Sequence, residues 1–425
     1  MNSVPSSRFS KRVKSTARTL ELKEAIVASF VLDARAAQCR LAGFDEADWL
    51  SVMWWLDISG LAIYSLDLTR RISAGGLIPP SVEAALAQRL ANNRVRMEAL
   101  RRESHAVASN FGNHGIPYAL LKGMTLAPES VTESALRCQT DLDFLVANSN
   151  AEQAIDCINQ LGYKLRVKSG DTLEFRAGAT PLPDIANLYA VHAQRALELH
   201  LLPESSGNSN LLTRTVTRDF SGLQIEVLSP ADILVQQALH LLKHLCGEHT
   251  RLSWILEFWR HVNARRHDQG FWHVVESNAA ITANGDLAMA IAFWAAGEVF
   301  GAKVCCDREQ WKAQALPVRV KLWLELYLKR LLMSDAVGSK LYALLRTEVP
   351  HAPNAERRMQ DILLPRVLPS PILESHPDEG FADRWNRRRA EAEFFLRRLR
   401  FHLREGARFV FELLRWNRAD VKEQR

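Results

Sequence analysis

The chain has 425 residues, 47% hydrophobic and 24% charged. That composition excludes disorder of the whole chain, and at roughly 150 residues per domain the length suits two or three domains. The longest strongly apolar run, Leu287–Gly297, is about half of what a bilayer crossing needs, so a single transmembrane span is excluded. The net charge of +6 is uneven: residues 1–20 carry five Lys/Arg and no acid, residues 384–425 carry thirteen against six, and the body between them is at −6. A uniformly basic body that coats nucleic acid is therefore not present. No charged segment followed by an apolar stretch opens the chain, and the six cysteines form no Cys-x-x-Cys pair. Reduced thiols in a cytoplasm are expected, and a structural zinc site of the Cys-x-x-Cys kind is excluded.

In chain order, residues 1–19 are Ser-rich and basic without apolar periodicity, and predict a mobile tail, with an organelle transit peptide as the alternative. Residues 20–113 read as an N-terminal helical region, with Leu50, Met53, Trp54, Asp57, Ile58 and Leu61 at helical steps. Pro79-Pro80 interrupts it, and Ser81 is placed to cap the next helix.

Residues 114–228 change texture and predict a small α+β core. Strands are expected at Tyr118–Leu121, Leu142–Val146, Tyr163–Val167, Thr172–Arg176, Leu188–His192, Arg195–Leu201 and Gln224–Leu228. A helix is expected at Ala151–Leu161, ended by Gly162. Ser229-Pro230-Ala231-Asp232 then reads as a helix start, with Ser as cap, Pro at the first position and Asp three after the cap. Residues 229–349 predict a second helical region and 350–380 a Pro-rich connector. Residues 381–425 predict a basic amphipathic helix. The expected fold class is thus α+β, a small mixed sheet embedded between helical regions.

Chemistry concentrates in Lys122-Gly123, Arg137 and Asp141-Leu142-Asp143. Alternation on a strand would put both carboxylates on one face while Leu142 points into the core. Two such carboxylates repel unless a cation lies between them. Mg²⁺, a hard ion often held by one or two carboxylates plus substrate phosphates, fits that need, with Mn²⁺ as the alternative. A pair of these ions would orient an attacking oxygen and neutralise a leaving pyrophosphate. Glu198, which shares its strand face with His200, is the candidate third acid, as metal ligand or as base towards an acceptor hydroxyl. Lys122 and Arg137 would hold triphosphate oxygens, and Gly123 would let backbone approach a phosphate. Each residue also has a plainer reading. A lone Asp-x-Asp arises readily by chance, Lys122 and Arg137 suit solvent or ion pairs, and Glu198 suits an exposed strand position. Their ordered setting favours the metal site.

Residues 115–257 resemble the bacterial nucleotidyltransferase family with a Lys-Gly…Arg-x-x-x-Asp-x-Asp pattern, within the polymerase-beta-like superfamily. Gly115-Ile116-Pro117, Leu120-Leu121-Lys122-Gly123 and the run from Arg137 to Val146 carry the resemblance. Leu161-Gly162-Tyr163, Glu198-Leu199-His200, Val227-Leu228-Ser229-Pro230 and Leu252–Glu257 follow in the same order. The resemblance implies transfer of a nucleoside monophosphate from an NTP such as ATP, with Asp141 and Asp143 as metal ligands and Glu198 as third acid. Met124 follows Gly123 where the superfamily has Gly-Ser, which shifts phosphate binding towards Lys122 and Arg137. The acceptor stays open among small molecule, saccharide, peptide and RNA.

Two further features have alternative readings. His240 and His244 lie four apart on one helical face and suit either packing against the sheet or a contribution to the site. The arginine-rich C-terminal helix either docks its Phe/Leu face on the body or meets an anionic partner such as lipid or RNA. Besides the transferase reading, the residues admit a binding module on a degenerate transferase fold, or a toxin-like transferase that modifies tRNA.

Overall fold

The computed structural model describes residues 16–72, 76–178, 188–189, 195–203, 210–220, 222–301, 311–312, 315–350 and 380–423. Most of the expected basic tail, the strand expected at 188–192 apart from its first two residues, and the interior of the Pro-rich connector lie outside them.

Five helices come first: α1 (Thr16–Ser29), α2 (Ala34–Leu41), α3 (Glu46–Ser59), α4 (Ala62–Ile72) and α5 (Pro80–Asn113). Helix α1 therefore begins inside the stretch expected to be a tail. Local signals set the boundaries. The Asp33 carboxylate accepts from the Ala36 amide at the start of α2, and Asp45 and Asp48 form a reciprocal capping box on α3. The cap expected at Ser81 is not formed. Helix α5 starts one residue earlier, with Pro80 in its first turn and Pro79 preceding it, and the Ser81 hydroxyl donates to Glu46 instead.

The sheet is built from β1 (Tyr118–Leu121), β2 (Leu142–Ala147), β3 (Lys164–Ser169), β4 (Thr172–Ala177), β5 (Arg195–Leu202), β6 (Thr215–Asp219) and β7 (Gln224–Leu228). Their order is β3-β4-β5-β2-β1-β7-β6. The β2–β5 and β1–β7 pairs are parallel and the other four antiparallel, so the sheet is mixed and the fold α+β. Helix α6 (Ala151–Gln160) follows β2, and Gly162 at φ +84° turns the chain into β3. On the side of α5, Phe111, Tyr118 and Phe144 form an aromatic cluster with ring centroids 5.6–5.9 Å apart.

Two strand expectations need correction. Leu188 and Tyr189 lie in a turn, not a strand. Strand β6 was not expected, because Thr-Val-Thr-Arg-Asp carries a single apolar side chain and no core-facing alternation. Backbone pairing with β7 and the Asp219 carboxylate, which accepts from the Gly222 amide, hold this edge hairpin together.

Helix α7 (Pro230–Leu245) packs against β7, and α8 (Leu252–Ala264), α9 (Gln269–Ile281) and α10 (Gly285–Phe300) pack on α7. Ser229 caps α7 as expected by accepting from the Asp232 amide at 3.2 Å, while the Asp232 carboxylate pairs with Arg214 at 2.8 Å. Next, α11 (Val318–Trp323) passes through a π-turn (Leu324–Leu328) into α12 (Lys329–Leu332), and α13 (Tyr342–Arg346) follows. This segment returns to the N-terminal helices: Trp55 Nε1 donates to the Leu332 carbonyl at 2.8 Å, and Lys23 Nζ to Asp335 at 2.7 Å. The C-terminal helix (Phe381–Glu423) attaches here through Phe409 and Trp416, both buried. Of the Phe/Leu residues that could dock, Leu413 packs against the core, while Leu399, Leu403, Val410 and Leu414 stay exposed.

Buried Asn93 on α5 donates to the carbonyls of Ala135 (2.7 Å) and Arg137 (2.8 Å), which ties the loop before β2 to that helix. Asn93→Leu would leave both carbonyls buried without this donor, and urea unfolding should show a loss of about 1–3 kcal/mol.

Candidate active site

Beyond Leu121 the chain turns sharply at Lys122 and Gly123, with φ of +53° and +51°. Lys122, with ψ of −160°, sits in a region that is almost exclusively glycine's, at a cost of about 1–3 kcal/mol. That backbone places its ammonium 2.5 Å from Asp143 Oδ1 and 3.9 Å from Glu198 Oε2. Gly123 is required on two counts, since its φ is positive and a Cβ there would overlap the Gln139 amide. Gln139 Nε2 in turn donates to the Asp141 carbonyl at 2.7 Å, so glycine at 123 lets the loop before β2 pack against this turn.

Asp143 is the second residue of β2, opposite Leu121 on β1 and Glu198 on β5. Parallel pairing in register brings Asp143 and Glu198 to one face, and His200, two residues on, shares it. His200 Nε2 lies 2.9 Å from Asp143 Oδ1 and 3.5 Å from Glu198 Oε2, and its Nδ1 lies 3.3 Å from Thr172 Oγ1. Among the described residues, Asp143, Glu198 and His200 offer three ligand atoms within 4.8 Å of one another. Asp141 stands just before β2, half-buried and outside this group. The structure thus brings Lys122, Asp143 and Glu198 together, with His200 added. His200 did have a sequence signal, its two-residue spacing from Glu198.

Electrostatics follow from this packing. Burial would raise the Asp143 pKa, but the Lys122 charge and the His200 hydrogen bond hold it far below the usual carboxylate range. Asp141 shifts the other way, to about 6, through burial and the nearby Asp143 charge. Burial would lower the Lys122 and His200 pKa values. Asp143 outweighs it in both, through its charge on Lys122 and its hydrogen bond with His200. Paired carboxylate oxygens that already draw an ammonium between them are a suitable donor set for a hard divalent cation. His200 is placed to orient them.

Arg137, expected at a phosphate, has a carboxylate partner. Its Nε donates to Glu257 at 3.2 Å, and Tyr64 donates to the other oxygen of Glu257 at 2.9 Å. Burial and the Glu257 charge raise the Tyr64 pKa, so it stays a neutral donor. Arg137 and Glu257 both lie in runs that the sequence singled out, but nothing in it pointed to Tyr64 or to these two contacts, whose members lie 120 and 193 residues apart.

A cleft of about 290 Å³ opens beside the group, with Lys122 and His200 on the sheet side, Gln236 and His240 from α7, and Trp254 and Glu257 from α8. Leucines make up much of its remaining wall. His240, His244 and Trp254 pack ring to ring with centroids 4.2–4.8 Å apart, and of the two histidines His240 lines the cleft. Burial and the neighbouring His244 hold His240 neutral, and burial brings His244 to about 3.

Residues 45–301 match the model of a family described as uncharacterised nucleotidyltransferase. The chain belongs to this nucleotidyltransferase family. No curated protein matches it. Among solved structures, one similar to it is an antigenic nucleotidyltransferase-like protein from Paracoccidioides brasiliensis, 13% identical, covering 44% of this chain and 91% of that one, with a TM-score of 0.29. All the residues of the acid cluster and of the cleft wall named above fall inside the matched nucleotidyltransferase span.

Gly123→Ala should lower stability by about 1–3 kcal/mol in urea unfolding, because the methyl group meets Gln139 at a positive φ. A second expectation concerns His261 on α8, which donates to Gln237 at 2.8 Å and whose pKa burial lowers to about 4. The unfolded chain, with an ordinary value of about 6.5, takes up that proton first. The contribution of neutral His261 is therefore full above that pH and lost as pH falls towards 4. Thermal unfolding midpoints of His261→Asn should accordingly fall less between neutral pH and pH 4 than those of the native chain.

Proposed function

We propose that this nucleotidyltransferase moves a nucleoside monophosphate from an NTP to an acceptor hydroxyl or phosphate. The observation that carries the reading is the convergence of Asp143, Glu198 and His200, with Lys122, at the edge of a cleft inside the family's span. An acceptor oxygen attacks the α-phosphorus, the bond from that phosphorus to the β-phosphate oxygen breaks, and pyrophosphate leaves with the electron pair. Where the acceptor is a hydroxyl, its proton passes to Glu198. Asp143 and Glu198, with Asp141 alongside, would hold Mg²⁺ or Mn²⁺, which when bound neutralises charge on the triphosphate and the departing pyrophosphate. Lys122 and Arg137 would hold phosphate oxygens, Arg137 oriented by Glu257 and Tyr64. The leucine-lined wall suits a nucleobase or the apolar part of an acceptor, and positioning supplies much of the acceleration.

One observation favours a second reading, a binding module on a degenerate transferase fold: Lys122 already pairs with Asp143, and His200 hydrogen-bonds the same oxygen. Isothermal titration with Mg²⁺ and the four common NTPs separates the two, since the transferase binds an NTP in a metal-dependent way and the module does not. In the transferase, Asp143→Asn should cut transfer of α-phosphate label from NTP into cell-extract acceptors by on the order of a hundredfold or more. Its thermal midpoint should show that it stays folded, and a folded variant with native turnover would remove the assignment.

A further inference from the structure

The C-terminal helix (Phe381–Glu423) has two apolar faces, and the body uses one of them. On the used face Phe409 and Trp416 are buried, Glu405 accepts from Ser339 at 2.8 Å, and Glu412 accepts from Arg330 at 2.8 Å. The second face carries Trp385, Leu396, Leu399, Leu403, Val410 and Leu414, each 51–64% exposed. At about 100° per residue these six fall within an arc of about 60°, and at 1.5 Å per residue the stripe runs about 43 Å. Along one border lie exposed Arg389, Arg397, Arg400 and Arg404; Arg384 and Arg388 lie on the other. Residues 384–415 contain ten arginines and four glutamates, and two of those glutamates, Glu405 and Glu412, turn into the body.

We propose that this helix docks the protein flat on an anionic lipid surface. A long, narrow apolar stripe between rows of guanidinium groups fits the boundary between headgroups and acyl chains. The leucines and Trp385 would enter the acyl edge, while the arginines keep their charge among lipid phosphates. The helix is not apolar enough to cross a membrane, so it lies on the surface. Charge argues against a second copy as the occupant. Self-pairing along the stripe would set arginine rows against each other, with Glu393, already held by Arg389 at 3.2 Å, as the exposed glutamate at its border. RNA would satisfy the arginines and leave the stripe wet.

The test uses the full chain. Sedimentation with phosphatidylcholine vesicles that contain phosphatidylglycerol should capture it, with affinity at least tenfold weaker for phosphatidylcholine alone and falling as salt rises. The double variant Leu399→Asp/Leu403→Asp should lose about tenfold or more. The triple variant Arg397→Gln/Arg400→Gln/Arg404→Gln should weaken binding and flatten its salt dependence. These positions are exposed, so both variants should keep the native thermal midpoint. Failure to bind anionic vesicles, or binding that the aspartate variant leaves unchanged, overturns the proposal. So does a lipid-free dimer in light scattering that the aspartate variant splits into monomers, or capture of an RNA oligomer without capture of vesicles.

Discussion

A carboxylate almost removed from water stays ionised only if cations reach it, and the geometry around Asp143 meets that condition. Asp143 is 2% exposed, on β2 between antiparallel β1 and parallel β5, and its charge is stabilised by the Lys122 ammonium and the His200 imidazole. The surrounding features follow from it. Lys122 accepts an unfavourable backbone conformation that aims its side chain at Asp143, and Gly123 lets the turn close over Gln139. Gln139 and Asn93 then hold the loop that delivers Asp141 to the start of β2. Glu198 lies within 4 Å of the Lys122 ammonium and of the His200 ring, so two carboxylates share one ammonium and one imidazole.

The cleft beside this group combines two kinds of wall. Lys122 and His200 stand among strand leucines such as Leu120 and Leu145 on the sheet side, and Gln236, Glu257 and His240, which burial keeps neutral, stand beside Leu239 and Trp254 on the helical side. The cleft residues named above lie within the span matched by the nucleotidyltransferase family.

Away from the site, the chain closes on itself. Helices near residue 330 pack against α1 and α3, and the C-terminal helix attaches to them through Phe409 and Trp416. The buried apolar side chains form a contiguous cluster from Leu22 to Trp416. The N-terminal helices therefore support the site from a distance: Tyr64 on α4 and Asn93 on α5 both reach residues that shape it. The outward face of the last helix is left without this support, and its apolar residues stay exposed.

Local periodicity alone determined most of the elements. Strands β1 and β7 have the bounds their apolar runs imply, and Ser229-Pro230 and Gly162 mark the helix ends where cap chemistry puts them. The edge strand β6 was not legible, because it is held by backbone pairing with β7 and carries no apolar code. Alternation also implied that Glu198 and His200 share a face. That Asp143 lies beside Glu198 was decided by the strand order, because β2 and β5 become neighbours only when β4 folds back against β5 and β1 against β2. Likewise, the partners of Arg137 and the docking face of the last helix depend on contacts between residues far apart in sequence. Spacing along a chain fixes which way a side chain points within its own element, and only the packing of elements decides what it meets.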